Sequence, residues 1–290
     1  MFDLETYLAE RRRMVDAAMD ERLPQESEPP HTLHRAMRYS VFSGGKRLRP
    51  ILCLASAEAV AASPTILDRA MLSAMGVEFF HTFTLIHDDL PSMDNDDMRR
   101  GRPTCHIVFG EATAILAGDA LQALAFEVTA DARLAPELPP NRLVVELAQA
   151  AGSRGVVGGQ VEDLAANAET PAEHIAFIHR HKTADLFRAA VRMGALTANA
   201  DTSRLTALTD YGMALGLAFQ ITDDILDAAD LAPGSPRKPG ASCLTVMTPD
   251  EARRQANDLI ESAIGHLATL PASDTEPLRA IARLVFDRTA

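Results

Sequence analysis

Between Leu85 and Pro103 the chain reads LIHDDLPSMDNDDMRRGRP, with five aspartates (Asp88, Asp89, Asp94, Asp96, Asp97) and then, past Met98, three arginines (Arg99, Arg100, Arg102). Carboxylates this close repel one another and are costly to keep ionised unless a cation sits among them. Oxygen-only ligands suit a hard ion such as magnesium, which keeps several waters and is shared with substrate phosphates. The guanidinium groups that follow suit the phosphates themselves, gripping their oxygens in a bidentate fork. The stretch reads as a seat for a magnesium–diphosphate.

A second acidic cluster, FQITDDILD, carries Asp223, Asp224 and Asp227. Side chains four apart share a helix face, so Asp223 and Asp227 can hold one ion between them, with Gln220 a turn earlier. A solvated helix end is the plainer alternative, but the residues just before the cluster are core-like. The segment Ser43–Pro50, SGGKRLRP, adds two glycines that let backbone N–H groups approach an anion, and Lys46, Arg47 and Arg49 to neutralise it. Alone it reads equally well as a basic surface turn. Joined to two carboxylate clusters it becomes the grip for a second diphosphate. His81 lies seven residues before Asp88, on nearly the same helix face two turns down. By itself such a histidine is more often a packed core residue than a ligand. A further basic run, His179, Arg180, His181 and Lys182, precedes Thr183. Arg180 and Lys182 do not share a face, and the spacing does not say which points inward.

The elements that must position these groups are helices. Strand signals are nearly absent, whereas Ala-, Leu- and Met-rich segments of helical length recur. The pattern predicts helices near 3–23, 31–43, 50–62, 66–90, 111–133, 141–152, 158–166, 171–198, 203–230, 249–269 and 274–287. Pro30, Pro50, Pro171 and Pro249 stand near helix starts, where the missing N–H matters least, and Ser273 or Asp274 is placed to cap the last helix. The helices 66–90 and 203–230 are apolar nearly all round, which marks them as central to a large bundle, and each ends in an aspartate cluster. The spacing inside the first cluster does not suit an unbroken helix. Six residues separate Asp88 from Asp94, and Pro91 clashes with the carbonyl of His87, so the helix must bend or unwind after Asp89.

The bulk numbers agree with one large all-α domain spanning residues 1–290. A net charge of −12 without a basic stripe argues against nucleic acid as a partner. The three cysteines have neither metal nor redox spacing and read as reduced thiols of a cytoplasmic protein. The N-terminus has no apolar signal core, and no apolar run reaches membrane-spanning length.

In order, GGKRLRP, LIHDDLPSMDNDDMRRGRPT, GEATAILAGDAL, GGQVEDL, HKTADLF and FQITDDILD resemble the landmarks of the trans-type isoprenyl diphosphate synthases, over about Leu33 to Asp227. The resemblance implies a helical bundle around a central cavity, a homodimer, and magnesium, about three ions of it. It also implies condensation of isopentenyl diphosphate with an allylic diphosphate, through ionisation of the allylic C–O bond. By resemblance Asp88, Asp94 and Asp223 are metal ligands, and Asp89, Asp224 and Asp227 support or coordinate. The same likeness implies that Arg99 holds the allylic diphosphate with Lys182, Thr183 and Gln220, and by likeness alone favours Lys182 over Arg180 as the inward residue. Lys46, Arg49, His81 and Arg100 belong to the isopentenyl diphosphate site. Phe83, five residues before the first cluster, resembles the floor of the tail pocket in bacterial farnesyl synthases stopping at fifteen carbons. Helix arithmetic alone places Thr84 more nearly beneath Asp88.

Geranylgeranyl diphosphate synthase is the alternative that shares everything but pocket depth. A terpene cyclase would lack the SGGKRLRP-like grip and the second all-aspartate cluster. An inactive regulatory subunit would have lost aspartates that this chain keeps. One departure from the family pattern stands out. After the second cluster the family has a mobile loop ending in Gly-Lys-x-Ser/Thr, and here the lysine position falls on Gly240, with Lys238 two residues away and Ser242 at the hydroxyl position.

Overall fold

The computed structural model describes residues 2–63, 65–134, 138–230 and 241–287. Lys238 and Gly240 lie outside the described residues. Helices dominate: α1 (Leu4–Arg22), α2 (His31–Val41), α3 (Leu48–Val60), α4 (Ile66–Asp88), α5 (Cys105–Phe109), α6 (Glu111–Ala130), α7 (Arg142–Ala151) and α8 (Val156–Ala165). They continue with α9 (Ala172–Ile178), α10 (Asp185–Thr197), α11 (Thr202–Asp230), α12 (Pro249–His266) and α13 (Ala272–Asp287). The protein is all-α. Among the described residues the sole ladder pairs β1 (Met98–Arg99) with β2 (Arg102–Pro103), antiparallel.

The two helices expected at the centre are there. On α4, Val77, Phe79, Phe80, Phe83 and Ile86 are buried on several faces, and α4 packs between α3 and α6. On α11, Leu208, Tyr211, Leu215 and Ala218 are buried against α10, α12 and α13, and the Tyr211 hydroxyl donates to the Leu278 carbonyl at 2.7 Å. A third core helix, α10, has almost no exposed side and touches α3, α4 and α11. Its periodicity was diluted by the long basic run ahead of it.

Local chemistry sets the helix ends. Pro249 follows a capping box in which Thr248 and Glu251 satisfy each other's backbone N–H. Pro50 is the third residue of α3 rather than its first, which is tolerated because the first four N–H groups of a helix have no intrahelical partner. The last helix begins at Ala272, so neither Ser273 nor Asp274 precedes it as a cap, and the N–H groups of Asp274 and Thr275 both reach the Pro271 carbonyl. The expected single helix over 171–198 is continuous but not uniform: a π-helical segment, His179–Ala184, joins α9 to α10.

Candidate active site

The first acidic cluster is shaped by Pro91. α4 stops at Asp88, and the chain folds back so that Asp94 N–H donates to the Asp88 carbonyl at 2.8 Å and Asp96 N–H to the Asp89 carbonyl at 3.2 Å. That turn is what the six-residue spacing demanded, and it brings Asp94 beside Asp88. Burial pushes the Asp88 carboxyl up to about 6; Lys182 opposes this, and the Asp94 and Asp89 charges add to it. Burial likewise raises Asp94, against Lys182 and with Asp163 and Asp96. Asp89 points elsewhere. It is buried, and Arg99 grips its Oδ1 through Nε at 2.7 Å and Nη2 at 2.6 Å.

Arg99 ends β1 and Arg100 opens the tight turn to β2, in which Arg100 (φ +53°) and Gly101 (φ +74°) are both left-handed. Two such residues match the type I′ turn that suits a two-residue hairpin. The turn sends the arginines apart: Arg99 to Asp89, Arg100 to the Gly44 carbonyl.

Opposite, α11 offers Gln220, Asp223, Asp224 and Asp227. Asp223 and Gln220 line a cavity of about 950 Å³, as do Asp88 and Lys182. Asp224 is turned away and buried. Burial pushes its carboxyl up, but it is held low overall by His179, with Nε2 3.3 Å away, and by hydrogen bonds from Cys243 N–H at 2.7 Å and Gln220 Nε2 at 3.0 Å. Asp227, one turn on, is exposed and does not line the cavity.

The loop before α3 sorts its cations. Arg47, itself left-handed at φ +52°, turns inward and donates to Asp16 at 2.8 Å, to Glu78 at 2.9 Å and to the Val41 carbonyl at 2.5 Å. This staple ties the loop to α1 and α4 and leaves Lys46 and Arg49 on the cavity wall. Arg49 Nη1 donates to His81 Nε2 at 3.3 Å, so the imidazole proton is on Nδ1. Burial lowers Arg49 to about 10, with Arg100 adding and Glu78 and Asp223 opposing. Burial also takes His81 well below its ordinary value, helped by Arg49 and Arg100. Cations depressed by burial and by each other around a neutral histidine make a site for an anion.

The π segment turns Lys182 and Thr183 into the cavity and leaves Arg180 exposed. Lys182 Nζ donates to Asp163 Oδ2 at 2.5 Å; burial works against its charge, but Asp163, Asp88 and Asp94 hold it charged. Thr183 Oγ1 donates to Gln220 Oε1 at 2.6 Å. Asp163 Oδ1 also accepts from Ala241 N–H at 2.7 Å. Phe83, Leu85, Met93, Val161 and Leu186 give the cavity apolar lining. Thr84 lines it too, with its hydroxyl donating to the His81 carbonyl at 2.8 Å.

Of the predicted residues, Lys46, Arg49, His81, Phe83, Thr84, Asp88, Arg100, Lys182, Thr183, Gln220 and Asp223 all line one cavity. Asp89, Asp94, Arg99, Asp224 and Asp227 do not. Three participants were not singled out: Glu78, Asp163 and Gln160, the last with both amide atoms buried and unpartnered within the protein. A lone acid in the apolar run GVEFF could have betrayed Glu78, because a buried carboxylate requires a cation. Among the described residues no three His, Cys, Asp or Glu side chains form a ready-made metal cage.

Residues 30–237 match the family model described as polyprenyl synthetase. The chain is 44% identical to the farnesyl diphosphate synthase of Escherichia coli, over 92% of this chain and 91% of that one. It is 38% identical to the large subunit 1 of the heterodimeric geranylgeranyl pyrophosphate synthase of Arabidopsis thaliana chloroplasts, over 99% of this chain and 80% of that one. A crystal structure of an FPP/GFPP synthase from Zymomonas mobilis superposes with a TM-score of 0.86 at 38% identity, covering 98% of both chains. With this fold, this cavity and these matches, the chain belongs to the polyprenyl synthetase family.

Proposed function

We propose that this prenyltransferase condenses isopentenyl diphosphate with dimethylallyl or geranyl diphosphate to give farnesyl diphosphate, a C15 product. One observation carries the reading: a single cavity is lined by the cation-bearing loop, by carboxylates from two helices, and by apolar side chains that include Phe83. The deep variant, a geranylgeranyl diphosphate synthase, differs at the tail-pocket floor, and Phe83 favours the shorter product.

The carboxylates fit magnesium. Asp88 is raised to about 6, chiefly by burial and further by Asp94 and Asp89, and Lys182 and Arg99 only partly offset this, so a bound cation would favour its ionised form. Asp88, Asp94 and Asp223 would hold the ions together with the allylic diphosphate, in keeping with magnesium's use of few protein ligands. When bound, magnesium neutralises the diphosphate and favours its departure. The protein's own groups do the rest. Lys182, kept charged by Asp163, meets the leaving diphosphate from the other side, with Thr183 and Gln220 beside it. Arg99, positioned by Asp89, supplies further charge at that end of the site. Lys46, Arg49 and Arg100, with neutral His81, hold isopentenyl diphosphate so that its alkene faces the allylic carbon. The C–O electron pair leaves with diphosphate, the alkene forms the new C–C bond, and a proton passes from the adjacent carbon to the departing diphosphate. Buried Val156 and Leu186 add apolar lining that would shield the carbocation from water.

One domain carries all of this, working in the cytoplasm with its three buried thiols reduced. It works as a homodimer through the exposed apolar patch Ile107, Val108, Ile115 and Leu116. The two-site assignment is tested by steady-state kinetics. Arg49→Ala and Lys46→Ala should raise KM for isopentenyl diphosphate about tenfold or more, the loss of a charge-assisted hydrogen bond, while KM for geranyl diphosphate stays within twofold. Equal rises for both substrates would contradict the assignment.

A further inference from the structure

Phe83 lines the cavity between two other rings. Its ring stands edge-on to Phe80 on one side, with centroids 5.2 Å apart, and edge-on to His87 on the other at 4.8 Å. His87 sits one turn above Phe83 on α4 and is itself tethered: Nε2–H donates to the Ile115 carbonyl of α6 at 3.0 Å, and the Asp119 carboxylate lies 4.0 Å away. A carbonyl can only accept, so this bond fixes both the imidazole's tautomer and its plane. The ring fits because residue 118 is glycine; a Cβ there would overlap the imidazole. His87 also borders the cavity.

We infer that His87 is a positioning residue for product length, bracing the Phe83 ring across the cavity from α6. Phenylalanine in a wide cavity has two torsions to turn through, and a ring that swings aside lets the hydrocarbon tail pass. Phe80 blocks one direction from α4's own surface. The other is blocked by an imidazole that cannot retreat while its N–H is spent on the Ile115 carbonyl. The pocket floor is thus a three-ring stack anchored on the neighbouring helix, and its height is set by α6 as well as α4.

This inference rests on Phe83 being the floor, and the test separates the two. Products from isopentenyl and geranyl diphosphates are sized for the parent, Phe83→Ala, His87→Ala, His87→Asn and Phe83→Ala/His87→Ala. A loosened floor should raise the ratio of C20 and longer products to C15 about tenfold or more in both His87 variants, since a single methylene of pocket depth is worth that much discrimination. His87→Asn keeps an N–H donor but no ring, so its lengthening assigns the effect to the ring. The double variant should make products no longer than Phe83→Ala alone, because His87 acts through Phe83. A ratio is independent of how much enzyme folds, so partial instability does not mimic the result. If Phe83→Ala lengthens products while the His87 variants keep the parent ratio, the bracing role is overturned. If Phe83→Ala itself changes nothing, the floor assignment fails first.

Discussion

At the residue scale, the site is a set of charges held at odds with their surroundings. Asp88 is the clearest case. Its carboxyl is raised from an unfolded value of 3.8 to about 6, so in the metal-free protein the protonated form is favoured by folding. The sign follows. That stabilisation is complete below pH 4 and lost as pH rises through 6, at a cost of at most about 3 kcal/mol at pH 7. Asp88→Asn should therefore melt about 2–5 °C above the parent at pH 7.5 without metal, by calorimetry, while kcat/KM falls at least ~100-fold. A variant that melts lower in the same buffer would contradict the account. Since metal needs the ionised carboxylate, affinity for magnesium with inorganic diphosphate should drop below pH 6 by up to about tenfold per unit, measured by titration calorimetry. A flat profile from pH 7 to 5 would count against Asp88 as a ligand. That these aspartates share one site was legible from their density, which is costly without a cation among them. Asp224 was legible in position only: whether an acid on a helix end faces the cavity or turns to His179 and Cys243 depends on what packs behind it.

At the element scale, helices came out of the sequence readily and their irregularities did not. The period of α4 and α11 is strong, and Pro91 announced the end of α4. The hairpin carrying Arg99 and Arg100 is two residues per strand, too short for any alternation to register, although Arg100-Gly101 between two arginines was a turn signal. The π segment had no signal, because inserting one residue into a helix leaves composition unchanged. Its register depends on contact with α8, where a Cβ on Gly159 would overlap the Lys182 backbone. The staple under the diphosphate loop makes a separate claim. Arg47 and Glu78 side chains are only 3% and 4% exposed, so Arg47→Met strands a buried carboxylate and should cost about 3–5 kcal/mol in urea unfolding. The double variant Arg47→Met/Glu78→Leu should recover most of it. A single variant losing under about 1 kcal/mol would mean that solvent reaches Glu78.

At the scale of the whole molecule, the bundle works by bringing the ends of two core helices to one mouth, with α10 between them and the cation loop below. Fold class was readable because both core helices are apolar all round, a pattern that only a large helical core satisfies. The proposed dimer face was not legible: Ile107, Val108, Ile115 and Leu116 lie close in sequence but on two helices broken at Gly110, so no single helical period marks them. Leu116 is 58% exposed, and Leu116→Glu should convert the proposed homodimer to monomer in sedimentation velocity. An unchanged sedimentation coefficient would place the interface elsewhere. No described helix is long and apolar enough to cross a membrane. The cavity of about 950 Å³ is where the proposed condensation would take place. The most direct test of that picture is to incubate the purified protein with magnesium, labelled isopentenyl diphosphate and geranyl diphosphate, and size the products by chromatography. The account predicts farnesyl diphosphate as the main product, with none formed when magnesium is chelated. Predominance of C20 or longer chains, or no condensation at all, would contradict it.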